Sequence, residues 1–220
     1  MHASASALGK LFFDTYSFTG TVLDIGSTDV NGSLRPFYKN KYIGIDFSPG
    51  TGVDTVLEDP YKLPFADGEA DAVVSSSCFE HSEMFWLVFL EILRVLKPEG
   101  VFYLNAPSNG TFHRYPVDCW RFYPDAGNAL VTWARRNGYD PMLLESFTAA
   151  QTVMEEWNDF VAVFIKDKQH ADRHPRRMLN HFEHFTNGTM AGRDGFVKQT
   201  PWPEDMDRLR RIKDITTGRG

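Results

Sequence analysis

Apolar and polar positions along the chain switch between two spacings. Leu8, Leu11, Phe12 and Tyr16 fall at helical intervals and predict an amphipathic first helix. The run Thr21-Val-Leu-Asp-Ile25, followed by Gly26, reads as a short buried strand. Lys41-Tyr-Ile-Gly-Ile-Asp46 repeats that design, and residues 71–75 and 101–105 supply two more strands. Between the last two, residues 83–97 are helical by length and close at Pro98-Glu-Gly100. The polar Glu91, Arg94 and Lys97 of that helix form one stripe, so the rest of it is buried. Asp125 is placed to cap a helix that runs through Arg136 and stops at Gly138 in the C′ position. Residues 142–147 and 160–165 are two further strands. Strands alternating with helices predict an α/β fold: a Rossmann-like, mostly parallel sheet with helices on both faces. Beyond Lys166 the pattern is lost among polar residues, Gly, Pro and His. The expected organisation is one domain over residues 1–165 and an extension over 166–220, as a lid, a loose tail or a partner contact.

The 220 residues suit about one domain. Apolar residues at 42% and charged residues at 24% exclude a collagen-like, disulfide-framed or wholly disordered chain. The 18 Phe and 5 Trp lean the chain toward lined pockets. A net charge of −6 argues against a nucleic-acid-binding body. Residues 1–165 hold 11 Lys and Arg against 21 Asp and Glu, whereas residues 166–220 hold 12 against 8. The basic tail is either a solvated extension or a surface for an anionic substrate or partner. Cys78 and Cys119 lie far apart without metal spacing, which suits free thiols in a reducing compartment. No secretory signal is visible, and the apolar stretch 84–90 is far short of the roughly 20 residues of a membrane span. A cytoplasmic protein is expected.

In an open parallel sheet, ligands lie outside the carboxyl ends of the strands. The residues to read are therefore 24–28, 46–47, 75–81 and 105–108. Gly26, with no Cβ, lets backbone approach a ligand closely. Asp46 follows Asp24 by 22 residues, near the gap of about 20 to the ribose-binding acid of dinucleotide folds. Each signal also has an ordinary structural meaning, a tight turn and a strand-end cap.

The segments Val22-Leu-Asp-Ile-Gly26, Tyr42-Ile-Gly-Ile-Asp46, Leu63-Pro-Phe65, Ala70-Asp-Ala-Val-Val74, Phe79-Glu-His81 and Glu91-Ile-Leu-Arg-Val-Leu-Lys-Pro-Glu-Gly100 occur in that order. Together they resemble the class I S-adenosylmethionine-dependent methyltransferases, most closely the bacterial group called type 11, over about residues 20–165. The resemblance implies a seven-stranded sheet with the last strand antiparallel and S-adenosylmethionine as cofactor. It implies Asp24 and Gly26 beside the methionine part, Asp46 on the ribose hydroxyls, Phe47 against the adenine and Asp59 near the adenine amino group. Ser76 and Ser77 would offer backbone contacts. The family's further glycines after Gly26 are replaced by Ser27, Thr28, Asp29 and Val30, so the loop takes another path and Ser27 or Thr28 adds hydroxyl contacts. A nicotinamide site lacks its full glycine fingerprint here.

Methyl transfer to an alcohol gains from alignment and from a general base, and His is poised for that near neutral pH. His81, next to Glu80, and His113, within the segment 106–124, are the candidates. That segment also holds Tyr115, Asp118, Trp120 and Arg121, suited to a sugar or compact polar metabolite. The alternative is that the aromatics pin the loop and Asp118 pairs with Arg121. The expected function is O-methylation of a small-molecule or saccharide hydroxyl, with N-methylation and a non-catalytic binding module as alternatives. His170 with His174, and His181 with His184, have spacings open to a metal, but Pro175 and polar surroundings argue for none. Phe182, Phe185 and Trp202 are available to pack on the same chain or on a second copy in a homodimer.

Overall fold

The computed structural model describes residues 2–150, 157–201 and 206–218. Among these residues the helices are α1 (Ala3–Thr15), α2 (Phe85–Val95), α3 (Ala126–Arg136) and α4 (Met206–Thr216). The strands are β1 (Thr21–Ile25), β2 (Lys41–Asp46), β3 (Thr55–Val56), β4 (Ala70–Ser76), β5 (Leu96–Pro107), β6 (Met142–Ala149), β7 (Asp159–Ile165) and β8 (Phe185–Met190). They form one sheet in the order β3-β2-β1-β4-β5-β7-β6-β8. The first five in that order pair in parallel, β7 runs antiparallel between β5 and β6, and β8 is antiparallel to β6. The fold is thus the Rossmann-like arrangement expected, with one strand more.

Strands β1 and β2 have the predicted bounds because Val22, Leu23 and Ile45 are fully enclosed and Gly or Asp punctuates each run. Helix α2 ends earlier than the predicted Lys97. Proline cannot continue a helix, and the chain turns extended at Leu96 to enter β5 through Pro98. Helix α3 stops as predicted at Gly138, whose φ is +86°. Asp125 stands before α3, but its side chain makes no capping hydrogen bond, contrary to the sequence expectation.

Two apolar layers enclose the sheet. On one face α2 and α3 bring Phe89, Ile92 and Leu130 against Phe102, Phe160 and Phe164. On the other, α1 brings Leu8, Phe12 and Tyr16 against Tyr103, Phe147 and Val161. Between β1 and β2 the chain makes only a 3₁₀ turn, Arg35–Phe37. Leu34 takes the place of a packed helix there: it lies so close to α1 that a Cβ on Gly9 would stand 2.2 Å from its Cδ2.

The polar tail, in which no strand was predicted, supplies β8. Its residues show no clean alternation; the open edge of β6 provides the backbone partners. Phe182 and Phe185 stand 5.5 and 5.9 Å from the Phe147 ring, packed on their own chain. Trp202 lies outside the described residues. No helix among the described residues is long and apolar enough to cross a membrane.

Glu145 on β6 ties the layers together. Its buried carboxylate accepts from Tyr16 Oη–H of α1 at 2.6 Å and from the Met178 and Leu179 N–H groups at 2.7 and 3.0 Å. Replacing Glu145 with Ala strands three donors. The variant is expected to lose about 3 kcal/mol of stability, read from its urea unfolding midpoint.

Candidate active site

The carboxyl ends of β1, β2 and β4 surround a cavity of about 610 Å³, within the roughly 300–1,000 Å³ of small-molecule sites. The chain leaves β1 at Gly26 with φ +81°, and a Cβ there would lie 2.5 Å from Cys78 Cβ. Only glycine meets both conditions. The following loop runs along the loop after β2: Asp29 N–H donates to Thr51 O at 2.8 Å. Arg35 secures the same contact by donating to Gly52 O at 3.1 Å and to the Asp54 carboxylate. These bonds are the other path that the missing glycines called for.

Most of the residues expected around the donor line the cavity. Asp46 is held by Thr28 N–H on Oδ2 at 3.1 Å and by Ser48 N–H on Oδ1 at 3.3 Å. Both oxygens keep lone pairs for a diol. Phe47 is 50% exposed beside it and offers a ring face. Ser27 Oγ is buried without a hydrogen-bond partner among the described residues. Asp24 is buried and accepts from Tyr42 Oη–H at 2.8 Å, and burial pushes its pKa up to about 7. At the end of β4, Ser76 and Ser77 line the same wall, with Ser77 held in the left-handed region at φ +53°. A diol acceptor, an aromatic face and a glycine turn suit S-adenosylmethionine. Asp59 is not brought to the wall: it is exposed, and its carboxylate accepts Tyr61 N–H at 2.9 Å. Leu57 and Tyr61 line that side, and the sequence reading missed both.

The opposite wall begins at the 3₁₀ turn Phe79–His81 after β4. His81 lines the cavity, and its Nδ1–H donates to Val117 O at 2.5 Å. Nε2 is therefore the lone-pair nitrogen of the neutral ring, and burial lowers the ring's pKa further. Cys119 and Trp120 N–H groups donate to Glu80 O at 2.8 and 3.3 Å, fastening the segment 106–124 to this turn. Tyr115 lines the cavity with His81. Glu80, His113, Asp118, Trp120 and Arg121 stand behind that wall and do not line it. Asp118 grips Arg121 at 2.5 and 2.9 Å and accepts His113 N–H at 2.8 Å. The Arg121 guanidinium holds the Asp118 pKa down at about 2. Trp120 donates to Ser82 O at 3.0 Å and meets Phe85 and Trp86 edge-on, so it pins the loop. Cys78, Arg114 and Val117, within the segments singled out from the sequence, also line the cavity, as do Ser82 and Glu83, which the sequence reading missed. Val117 acts through a backbone carbonyl, which no side chain advertises.

Residues 23–104 match the family described as a methyltransferase domain. No curated protein matches the chain. Among solved structures, the fold is similar to one in the complex of the Haloferax volcanii Trm112 methyltransferase activator with a methyltransferase. That likeness has 17% identity, covers 74% of this chain and 89% of that one, and has a TM-score of 0.54. A second is the Burkholderia thailandensis 1,6-didemethyltoxoflavin-N1-methyltransferase with bound 1,6-didemethyltoxoflavin and S-adenosylhomocysteine. Here identity is 14%, coverage is 76% and 78%, and the TM-score is 0.54. The YcgJ protein of Bacillus subtilis follows at 14% identity, 76% and 100% coverage and a TM-score of 0.53. Such identities speak for the fold. The matched segment, residues 23–104, adds a likeness to a methyltransferase domain, and the cavity lining fits S-adenosylmethionine as methyl donor.

Two measurements test this site. Asp46→Ala should weaken S-adenosylhomocysteine binding about 100-fold in calorimetric titration, the scale of losing hydrogen bonds to a charged group. Asp24 carries a pKa of about 7 when folded, against 3.8 for an ordinary aspartate side chain. The native chain thus keeps a proton that the unfolded chain releases. The stability from that proton is complete below 3.8 and is lost as pH rises through about 7. Unfolding free energy of the ligand-free protein should fall across that window, and Asp24→Asn should flatten the fall.

Proposed function

We propose that the protein methylates a hydroxyl group on a small polar acceptor, with a saccharide the best fit. The observation that carries this is His81: its Nε2 lone pair is fixed by the Val117 bond in the same cavity as Asp46 and Ser77. S-adenosylmethionine supplies a sulfonium-bound methyl for in-line displacement. The protein's part is to align the acceptor oxygen with that methyl and to accept or stabilise the loss of the hydroxyl proton. His81 serves the second task. His113 supports it, its ring standing edge-on to His81 at 4.8 Å between centroids. Tyr115, 56% exposed at the cavity wall, offers a face to a sugar ring. Arg114 and Glu83 on the same wall provide polar handles of both signs. The acidic balance of residues 1–165 supports a small acceptor over nucleic acid. The free thiols of Cys78 and Cys119 fit a reducing, cytoplasmic setting.

The test is a screen of hydroxylated acceptors with labelled S-adenosylmethionine, followed by His81→Ala on the best one. Turnover should fall about 10²–10⁴-fold, while S-adenosylhomocysteine affinity stays at the wild-type value. An amine accepted at rates indifferent to His81→Ala would replace this reading with N-methylation.

A further inference from the structure

We infer that Glu80, His81 and His113 form a binding site for a divalent transition-metal ion at the acceptor end of the cavity. One ligating atom from each residue lies within 4.8 Å of those from the other two. Bonds of about 2.0–2.2 Å to a shared tetrahedral ion set its ligand atoms about 3.3–3.6 Å apart. Side-chain adjustments of about 1 to 1.5 Å therefore close the set around an ion with such bonds.

Two independent observations point to a ligand. Glu80 is only 1% exposed, and its Oε2 has no hydrogen-bond partner among the described residues. A buried carboxylate oxygen without a donor is costly, and a cation satisfies it directly. Both rings, moreover, are held as metal-binding imidazoles are held. His81 Nδ1–H donates to Val117 O, and His113 Nδ1–H donates to Thr111 O at 3.2 Å with Asp118 Oδ2 at 3.5 Å. Such outer contacts fix the tautomer and leave Nε2 of each ring as the coordinating nitrogen. His81 Nε2 already stands 3.7 Å from Glu80 Oε1.

Two imidazoles and one carboxylate select ions of the Zn²⁺, Co²⁺ or Fe²⁺ kind over Mg²⁺ or Ca²⁺. The charge of neighbouring Arg121 is taken up by Asp118. Three protein ligands leave a position open, and His81 places it toward the cavity. An acceptor hydroxyl there sheds its proton more readily, the ion taking over a task that His81 Nε2 performs alone in its absence. That use of the ion rests on the O-methylation reading, whereas its binding does not.

The experiment titrates the chelator-stripped full chain with Co²⁺, read by equilibrium dialysis and by the visible absorption of the bound ion. One equivalent should bind and turn coloured. His113→Ala and Glu80→Gln should each weaken uptake by at least about 10-fold, the lower end even for an outer-shell partner. Wild-type S-adenosylhomocysteine binding verifies that each variant is folded. A His170→Ala/His184→Ala variant, which breaks both tail pairs, should bind Co²⁺ like the wild type. No uptake by the folded protein would overturn the inference. So would uptake that survives His81→Ala/His113→Ala, or uptake lost in the tail variant. No methyl acceptor enters the assay, so failure of the O-methylation reading leaves its result standing.

Discussion

The turn at Gly26 presses against Cys78 with no space for a methyl group between them. This contact brings the carboxyl ends of β1 and β4 to backbone distance, and the rest of the site is arranged around it. On one side it places the loop that carries Ser27 and Thr28 against Asp46. On the other it fixes the start of the short turn that presents Glu80 and His81. The site is thus set by how closely two adjacent parallel strands can end. The side chains then give the shared opening two walls, one at Asp46 and Phe47 and one at His81 and Tyr115.

The first crossover shows how this is achieved without a helix. In a parallel sheet the connection between neighbouring strands must return the chain across one face, and a helix is the usual means. Here Leu34 supplies the apolar plug against α1, and Arg35 supplies the polar clamp, reaching Tyr42 O, Gly52 O and the Asp54 carboxylate. The cost of ordering an irregular loop is offset by a cation that satisfies several acceptors at once. Gly44 and Gly52 make the same economy of space, because a Cβ on Gly44 would stand 2.0 Å from Gly52 O.

Most of the sheet was legible because buried parallel strands must be short, apolar and punctuated, and residues 21–25 and 41–46 are all three. The Asp46 wall of the cavity was legible for the same reason: its residues sit at strand ends, where sequence position and spatial position coincide. The His81 wall was not. Val117 contributes a carbonyl, and Glu80 and His113 meet only after a long loop folds back, so no spacing announces them. Asp59 failed in another way, since an acid beside Pro60 and Tyr61 satisfies its own turn before it reaches a ligand. Strand β8 escaped notice because Phe185-Thr-Asn-Gly-Thr-Met190 pairs through its backbone and carries a left-handed Asn187 at φ +50°.

That eighth strand has a bearing on what the polar tail is for. Without it β6, eight residues long and buried along most of its length, would end the sheet with a row of unsatisfied N–H and C=O groups. Such an edge recruits other chains. β8 covers it with a short, glycine-containing strand that is itself bridged at Gly188 by Val197, leaving little edge to copy. The tail then serves solubility as much as architecture: it keeps an apolar sheet from growing into its neighbours.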